Sequence, residues 1–335
     1  MARNSYDIVM EDRRKLVNRI IENMEKGELI FNKGWDSQIL MPQNPTSKVN
    51  YIGGNRIRLI AEAIDKGYKD PRWVTFKQAS DNGWRIKKGE KAVLCEKPST
   101  SNSFELEKVI NAAKENNTLY MEALKTTFIP TYNALKENLH KIGKIRKVVA
   151  NYCQHSSRYE DYKKGDVKNA FKKEFSNGAL MDIGVYPLFF VISLFGSPKK
   201  ITAEGLILED GKGIDGQGTV NMIYDEMEIT VLYSKIANSY LPTEIMGEEG
   251  SLLIEHVSEM DKLYFIKRGS NEKTDLTLPR KENSMYYELK HFVDLYDENK
   301  KESPINSFSL SLEVMDILDK IREKIGIVFP ADNKK

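Results

Sequence analysis

From Arg146 to Leu278 the hydrophobic pattern repeats every two residues, which commits this stretch to β-structure. Candidate strands are 146–153, 200–208, 218–224, 228–234, 242–247, 251–255, 262–267 and 274–278. Strands that follow one another through short turns predict an open, mostly antiparallel sheet. One long apolar helix, Ala179 to Phe195, interrupts them and ends at Gly196 and Pro198. Two more helices, Met285–Tyr296 and Ser309–Ile325, close the chain. Helices segregated to one face of such a sheet give an α+β domain.

The preceding residues read differently. A strand at 91–96, a helix at 103–116, a strand at 118–123 and a helix at 129–141 form a β-α-β-α run. Earlier still, amphipathic helices are expected over 12–26, 54–66 and 75–82, with a loop-like stretch at 33–50. The 335 residues admit two or three domains. Charge divides at the same place: the first 95 residues carry 18 Lys+Arg against 12 Asp+Glu, a net +6, and the remainder carries a net −4. All three tryptophans, Trp35, Trp73 and Trp84, fall in the basic part. Two modules with different partners are therefore expected, and with the β-α-β-α run set apart the chain divides into three segments, 1–92, 93–143 and 144–335.

Several function classes drop out. With 13 Phe, 16 Tyr and 3 Trp the chain can build a core, so wholesale disorder is excluded. The longest uncharged apolar stretch, Ile183 to Phe195, contains Gly and Pro and falls short of the ~20 residues of a membrane span. No apolar leader follows the N-terminal Met, so a cytoplasmic location is expected. Cys95 and Cys153 make no disulfide framework, and His140, His155, His256 and His291 lack metal-ligand spacing, so no metal is expected.

Residues 48–94 interleave cations with aromatics: Arg56, Arg58, Lys69, Arg72, Trp73, Lys77, Lys87 and Lys88 are the candidates for contact with nucleic acid. Cations can track a phosphate backbone, and aromatic faces can stack on unpaired bases at about 1–3 kcal/mol each. Trp73 and Phe76, three apart, equally suit a core stripe. The string from Tyr51 to Leu94 resembles the N-terminal domain of ArdC-type antirestriction proteins. Tyr51, Gly53, Asn55, Leu59, Pro71, Trp73, Thr75, Lys77, Gln78 and the Lys88-Gly89-Glu90-Lys91 turn carry that likeness over about residues 10–95. It implies single-stranded DNA as the partner of the head. The His-Glu-x-x-His zinc motif that often follows in that family is missing from this sequence.

A second group of residues carries different chemistry. Asp182 and Tyr186 are four apart, on one helix face, and Lys97 stands at a strand end beside Pro98. A phenol exchanges protons poorly at neutral pH unless a cation stabilises its phenolate. Tyr186 is thus the candidate general acid/base, Lys97 its electrostatic partner, and Asp182 the group that orients substrate hydroxyls. A solvated helix face would also account for Asp-x-x-x-Tyr alone. The Glu96-Lys97-Pro98 motif, the stretch Asn177 to Pro187, the turn Gly247 to Leu252 and the ending Lys324 to Pro330 resemble the Gfo/Idh/MocA oxidoreductases over about residues 93–332. That resemblance implies NAD(P) as cofactor, with Glu96, Lys97 and Pro98 beside it. It also implies a sugar, polyol or diol as substrate, and self-association through the open sheet face.

The family's Rossmann domain begins with a strand, a glycine-rich turn and a helix that cradle the pyrophosphate. Here those positions hold the ArdC-like segment. The one G-x-G-x-x-G, Gly211 to Gly216, lies between strands and reads as a hairpin turn. The expectation is a fusion of a DNA-binding head with a substrate domain that does not bind NAD(P) by itself. The alternative is an active NAD(P)-dependent dehydrogenase.

Overall fold

The computed structural model describes residues 92–208 and 213–334. The chain divides into two units, 1–78 and 79–335, and every described residue belongs to the second. The helices expected over 12–26, 54–66 and 75–82, the candidates Arg56, Arg58, Lys69, Arg72, Trp73, Lys77, Lys87 and Lys88, and Gly211 therefore lie outside the described residues.

The β-α-β-α run forms. Strand β1 (Ala92–Glu96) pairs in parallel with β2 (Leu119–Ala123), and helix α1 (Ser103–Glu115) crosses between them. Asn102 starts α1 by accepting a hydrogen bond from the Glu105 amide, as an N-cap side chain does. A 3-10 turn at Lys125–Phe128 then leads to α2 (Pro130–Asn138). Leu119, Met121 and Phe128 pack here with Leu295 from α5 (Met285–Asp297).

Eight strands form the large sheet. These are β3 (Ile145–Cys153), β4 (Lys200–Ile207), β5 (Asp215–Ile223), β6 (Glu228–Ser234), β7 (Thr243–Gly247), β8 (Gly250–Glu255), β9 (Lys262–Lys267) and β10 (Thr274–Asp275). Their order is β10-β9-β8-β7-β3-β6-β5-β4. All neighbours are antiparallel except β3 and β6, which run parallel with Val148 opposite Ile229 and Ala150 opposite Val231. The first strand of this sheet thus lies in its middle, between two hairpin arms.

The core lies between the sheet and its helices. Val148, Ala150, Val220, Met222, Ile229, Val231, Ile245 and Leu252 point inward at strand spacing and are buried. They meet α4 (Val185–Phe195), whose Leu188, Phe189, Phe190 and Val191 are fully buried, and α6 (Phe308–Ile325), with Ile317, Leu318 and Ile321. Residues Lys173–Phe195 are long and apolar enough by composition to cross a membrane, but 67% of the most apolar window is buried inside the fold. This is the core helix of the α+β domain.

Several local features depart from the sequence expectation, among them the strand expected over 274–278, which shortens to Thr274–Asp275. The apolar helix expected over 179–195 opens with a π-helical turn at Leu180–Gly184. Strand β5 starts at Asp215 rather than 218, because Gly216 and Gly218 hide its alternation. A helix unforeseen from sequence, α3 (Ser157–Lys163), has no buried residue and so no apolar period to betray it.

Candidate active site

The helix bearing Asp182 and Tyr186 is aimed by a buried carboxylate. Both oxygens of Asp215 accept backbone hydrogen bonds at the helix start, from Ala179 N at 3.2 Å and Leu180 N at 2.7 Å. The chain enters this turn through Gly178 at φ +124°, and a Cβ there would lie 2.1 Å from Asp215 Oδ1. Only glycine fits, on both counts. Burial raises the Asp215 carboxyl to about 6 against those stabilising amides. At the end of the π-helical turn, Gly184 lets it lie close to the Tyr233 ring of β6, 3.1 Å from where a Cβ would stand.

Lys97 follows β1 directly. Glu122 of β2, buried, accepts a hydrogen bond from Ser99 N at 2.9 Å and fixes the turn that carries Lys97. From there the Lys97 ammonium reaches Asp182, hydrogen-bonding to its backbone carbonyl and lying 3.3 Å from its Oδ1. The same ammonium stands 4.7 Å from the centroid of the Tyr186 ring. Lys97, Asp182 and Tyr186, far apart in sequence, therefore meet at one place. Glu96 is exposed at the end of β1, and Pro98 follows Lys97 through a cis peptide. The cavity of about 450 Å³ on the sheet, lined by Cys153, Gln217, Gly218, Thr219 and Ser239 among others, includes none of the three.

The electrostatics single out two residues that sequence reasoning missed. The first is Lys235, immediately after β6. Its side chain is only 3% exposed, and its ammonium lies 2.6 Å from Asp182 Oδ2. Burial works to raise the Asp182 carboxyl, but Lys97 and Lys235 together outweigh it and hold it below the ordinary carboxylate range. Ile229, Val231 and Tyr233 of β6 point inward, and Lys235 continues that parity. A lysine in phase with the core side of a strand is a signal legible in sequence.

The second is Glu288 on α5, which is 2% exposed and has an Oε2 atom without a hydrogen-bond partner. Burial, with the Glu96 carboxylate adding to it, pushes its carboxyl up to about 7. Tyr186 is raised well above an ordinary phenol by burial, with Tyr152, Glu96, Glu288 and Asp182 acting the same way. The Lys97 cation meets the ring face, and burial first, then the negative groups around the site, favours the protonated phenol. At neutral pH this arrangement presents the protonated Tyr186 hydroxyl as a hydrogen-bond donor, donates hydrogen bonds from Lys97 and accepts them at Asp182.

Among the described residues no group of His, Cys, Asp and Glu side chains could hold a metal ion. A dinucleotide anchor needs free amides at a helix start. At the start of α1, Ser103 N donates to Asp319 Oδ2 at 2.9 Å, Ser101 N to Glu105 Oε2 at 3.1 Å and Glu105 N to Asn102 Oδ1 at 2.9 Å. That turn is occupied by the protein's own oxygens and does not fit a pyrophosphate.

Known proteins resemble the chain in two parts, and the first match runs past residue 95 across β1, α1 and β2 into α2. Residues 10–134 match the N-terminal domain of anti-restriction factor ArdC, and residues 134–253 match the GFO/IDH/MocA C-terminal domain. Over 242 residues the chain is 46% identical to scyllo-inositol 2-dehydrogenase (NADP(+)) IolU of Bacillus subtilis, covering 72% of this chain and 73% of that one. It is 31% identical over 253 residues to the trans-1,2-dihydrobenzene-1,2-diol dehydrogenase of Xenopus tropicalis, with 72% and 73% covered. The fold superimposes on KijD10, a 3-ketoreductase from Actinomadura kijaniata, with a TM-score of 0.62 at 20% identity, over 70% of this chain and 71% of that one. Behind an ArdC-type N-terminal domain, the chain belongs to the Gfo/Idh/MocA oxidoreductase family.

Proposed function

We propose that the protein fuses a single-stranded-DNA-binding head, residues 1–92, to a polyol- or sugar-binding domain, residues 144–335, through a remnant of a Rossmann unit at 93–143. The observation that carries the tail's part is the meeting of Lys97, Asp182 and Tyr186. In this reading Asp182 accepts a hydrogen bond from a ligand hydroxyl. Lys97 donates to the neighbouring ligand oxygen and favours negative charge on it. Tyr186 holds the proton that this oxygen takes up or gives back. NAD(P), where bound, would supply or accept the hydride.

In the same reading this chain does not hold NAD(P) alone. The support is that the segment ahead of β1 matches an ArdC-type domain, and that the α1 start is filled by Asp319 and Glu105. Fluorescence titration of the full chain with NADH and with NADPH tests it. No saturable binding is expected, while a short oligonucleotide is expected to shift in a gel. Saturable binding in the micromolar range would overturn the proposal. A cytoplasmic location and a dimer formed through the open sheet face belong to the same reading, and light scattering at micromolar concentration checks the dimer.

The 46% identity to an NADP(+)-dependent scyllo-inositol dehydrogenase favours a second reading, in which the chain is an active polyol or diol dehydrogenase. Turnover of scyllo-inositol with NADP(+) that is abolished by Tyr186→Phe would establish it in place of the first.

A further inference from the structure

Lys235 belongs to no motif, yet four segments of the chain are fastened to it. Its backbone N donates to Gly216 O at 2.9 Å, and its carbonyl accepts from Ser156 N at 2.8 Å. Its ammonium donates to Ala170 O at 3.1 Å and to Asp182 Oδ2 at 2.6 Å, and stands 4.6 Å from the centre of the Phe171 ring. The ammonium thus has a carboxylate, a carbonyl and an aromatic face for its three protons. The strand end places it, and the site and the 169–175 segment lean on it.

We propose that Lys235 is a positioning residue: its ammonium holds the Asp182 carboxylate in one orientation and ties the 168–176 segment to it, so that segment order and site geometry are set together. Asp182 Oδ1 faces Lys97 while Oδ2 faces Lys235, so the carboxylate cannot turn without breaking one of the two contacts. With two ammonium groups on one carboxylate, this trio carries a net positive charge. Lys97 is correspondingly left only partly neutralised beside Tyr186 and available to a ligand oxygen. A buried ammonium persists only when paired, and burial depresses Lys235 while Asp182 counters it. Arg158 from α3 and Lys97 are the other cations acting on it, and Asp215 at the start of β5 is the other carboxylate.

That Asp182 receives a ligand hydroxyl is the reading given above. The placement of Asp182 by Lys235 is tested without ligand or cofactor, so the two can fail separately. The full chain is labelled with 13C at the aspartate carboxyls, and the Asp182 signal is assigned by its loss in Asp182→Asn. In Lys235→Met the titration midpoint of Asp182 is expected to rise by about one pH unit, a tenfold gain in proton affinity. Amide exchange over 168–176 is expected to quicken at least tenfold. A side chain that only fills space would quicken exchange and leave the midpoint in place. An unmoved midpoint therefore overturns the proposal, whatever the exchange does. Should Lys235→Met fail to fold, Asp182→Asn alone is measured. Faster exchange over 168–176 is then expected, and unchanged protection there overturns the link.

Discussion

The Lys97 ammonium lies over the face of the Tyr186 ring, 4.7 Å from its centroid, while its hydrogen bonds go to Asp182. The cation therefore meets the ring face, and its hydrogen bonds are taken up by Asp182. Burial and the nearby negative groups keep Tyr186 a neutral donor. A folded phenol raised above its unfolded value favours the native state at neutral pH, and that contribution is lost only as the pH rises beyond the ordinary phenol range. The tyrosinate absorbance of the wild type and of Tyr186→Phe should accordingly superimpose up to about pH 10. An extra ionisation at lower pH that Tyr186→Phe removes would contradict this account.

Glu288 gives the clearest pH dependence. Its folded carboxyl titrates at about 7, above its unfolded value. The stability it contributes is complete below the unfolded value of about 4.3, and is lost as the pH rises through the folded one. Across that window the wild type should lose on the order of 3–4 kcal/mol that Glu288→Gln keeps. The variant should match the wild type in Tm near pH 4 and exceed it by several degrees at pH 8. Equal Tm values at both pH values would show that Glu288 is not held as an acid.

The outer architecture was legible because apolar periodicity reports burial directly. Strands β6 and β9, and helices α5 and α6, fall where the pattern puts them within a residue or two. Lys97, Asp182 and Tyr186 were legible through motif and spacing. Their meeting was expected from those roles, but not the contacts that make it, Lys97 over the Tyr186 ring and on Asp182, because these depend on the parallel β1–β2 pair and on the Asp215 cap. Helix α3 was invisible for lack of a buried face. Lys235 was overlooked because a lysine is ordinarily assigned to solvent, although its parity with Tyr233 pointed inward. The parallel pairing of β3 with β6 had no sequence signal, since alternation fixes which face a residue takes and not which strand lies beside it.

Gly178 is where site and fold are most tightly joined. At φ +124°, with Asp215 Oδ1 2.1 Å from a would-be Cβ, Gly178→Ala must both strain the backbone and push the capping carboxylate off Ala179 and Leu180. The expected cost exceeds about 2 kcal/mol, from the positive φ and the lost cap together. Urea unfolding at constant pH measures it. By contrast Gly196→Ala, where φ is +69° and nothing lies within 4 Å, should cost about 1 kcal/mol from φ alone. Equal losses at both positions would remove Asp215 as the device that aims the helix.

The head is tested through salt. A protein that neutralises phosphates of a single strand releases counterions, and log K falls against log salt with a slope of about −0.7 for each phosphate met. Lys87 and Lys88 lie in the basic head, in the Ile86-Lys87-Lys88-Gly89 stretch. If each meets one phosphate, the double variant Lys87→Ala/Lys88→Ala should bind a short oligonucleotide with a slope shallower by about 1.4. Trp73→Ala should instead weaken binding by about 1–3 kcal/mol with the slope unchanged, because stacking releases no ions. Anisotropy titrations of the full chain at four or five salt concentrations separate the two effects. If Trp73→Ala leaves affinity untouched while the lysine pair carries all of it, Trp73 does not stack on the strand and binding rests on charge alone.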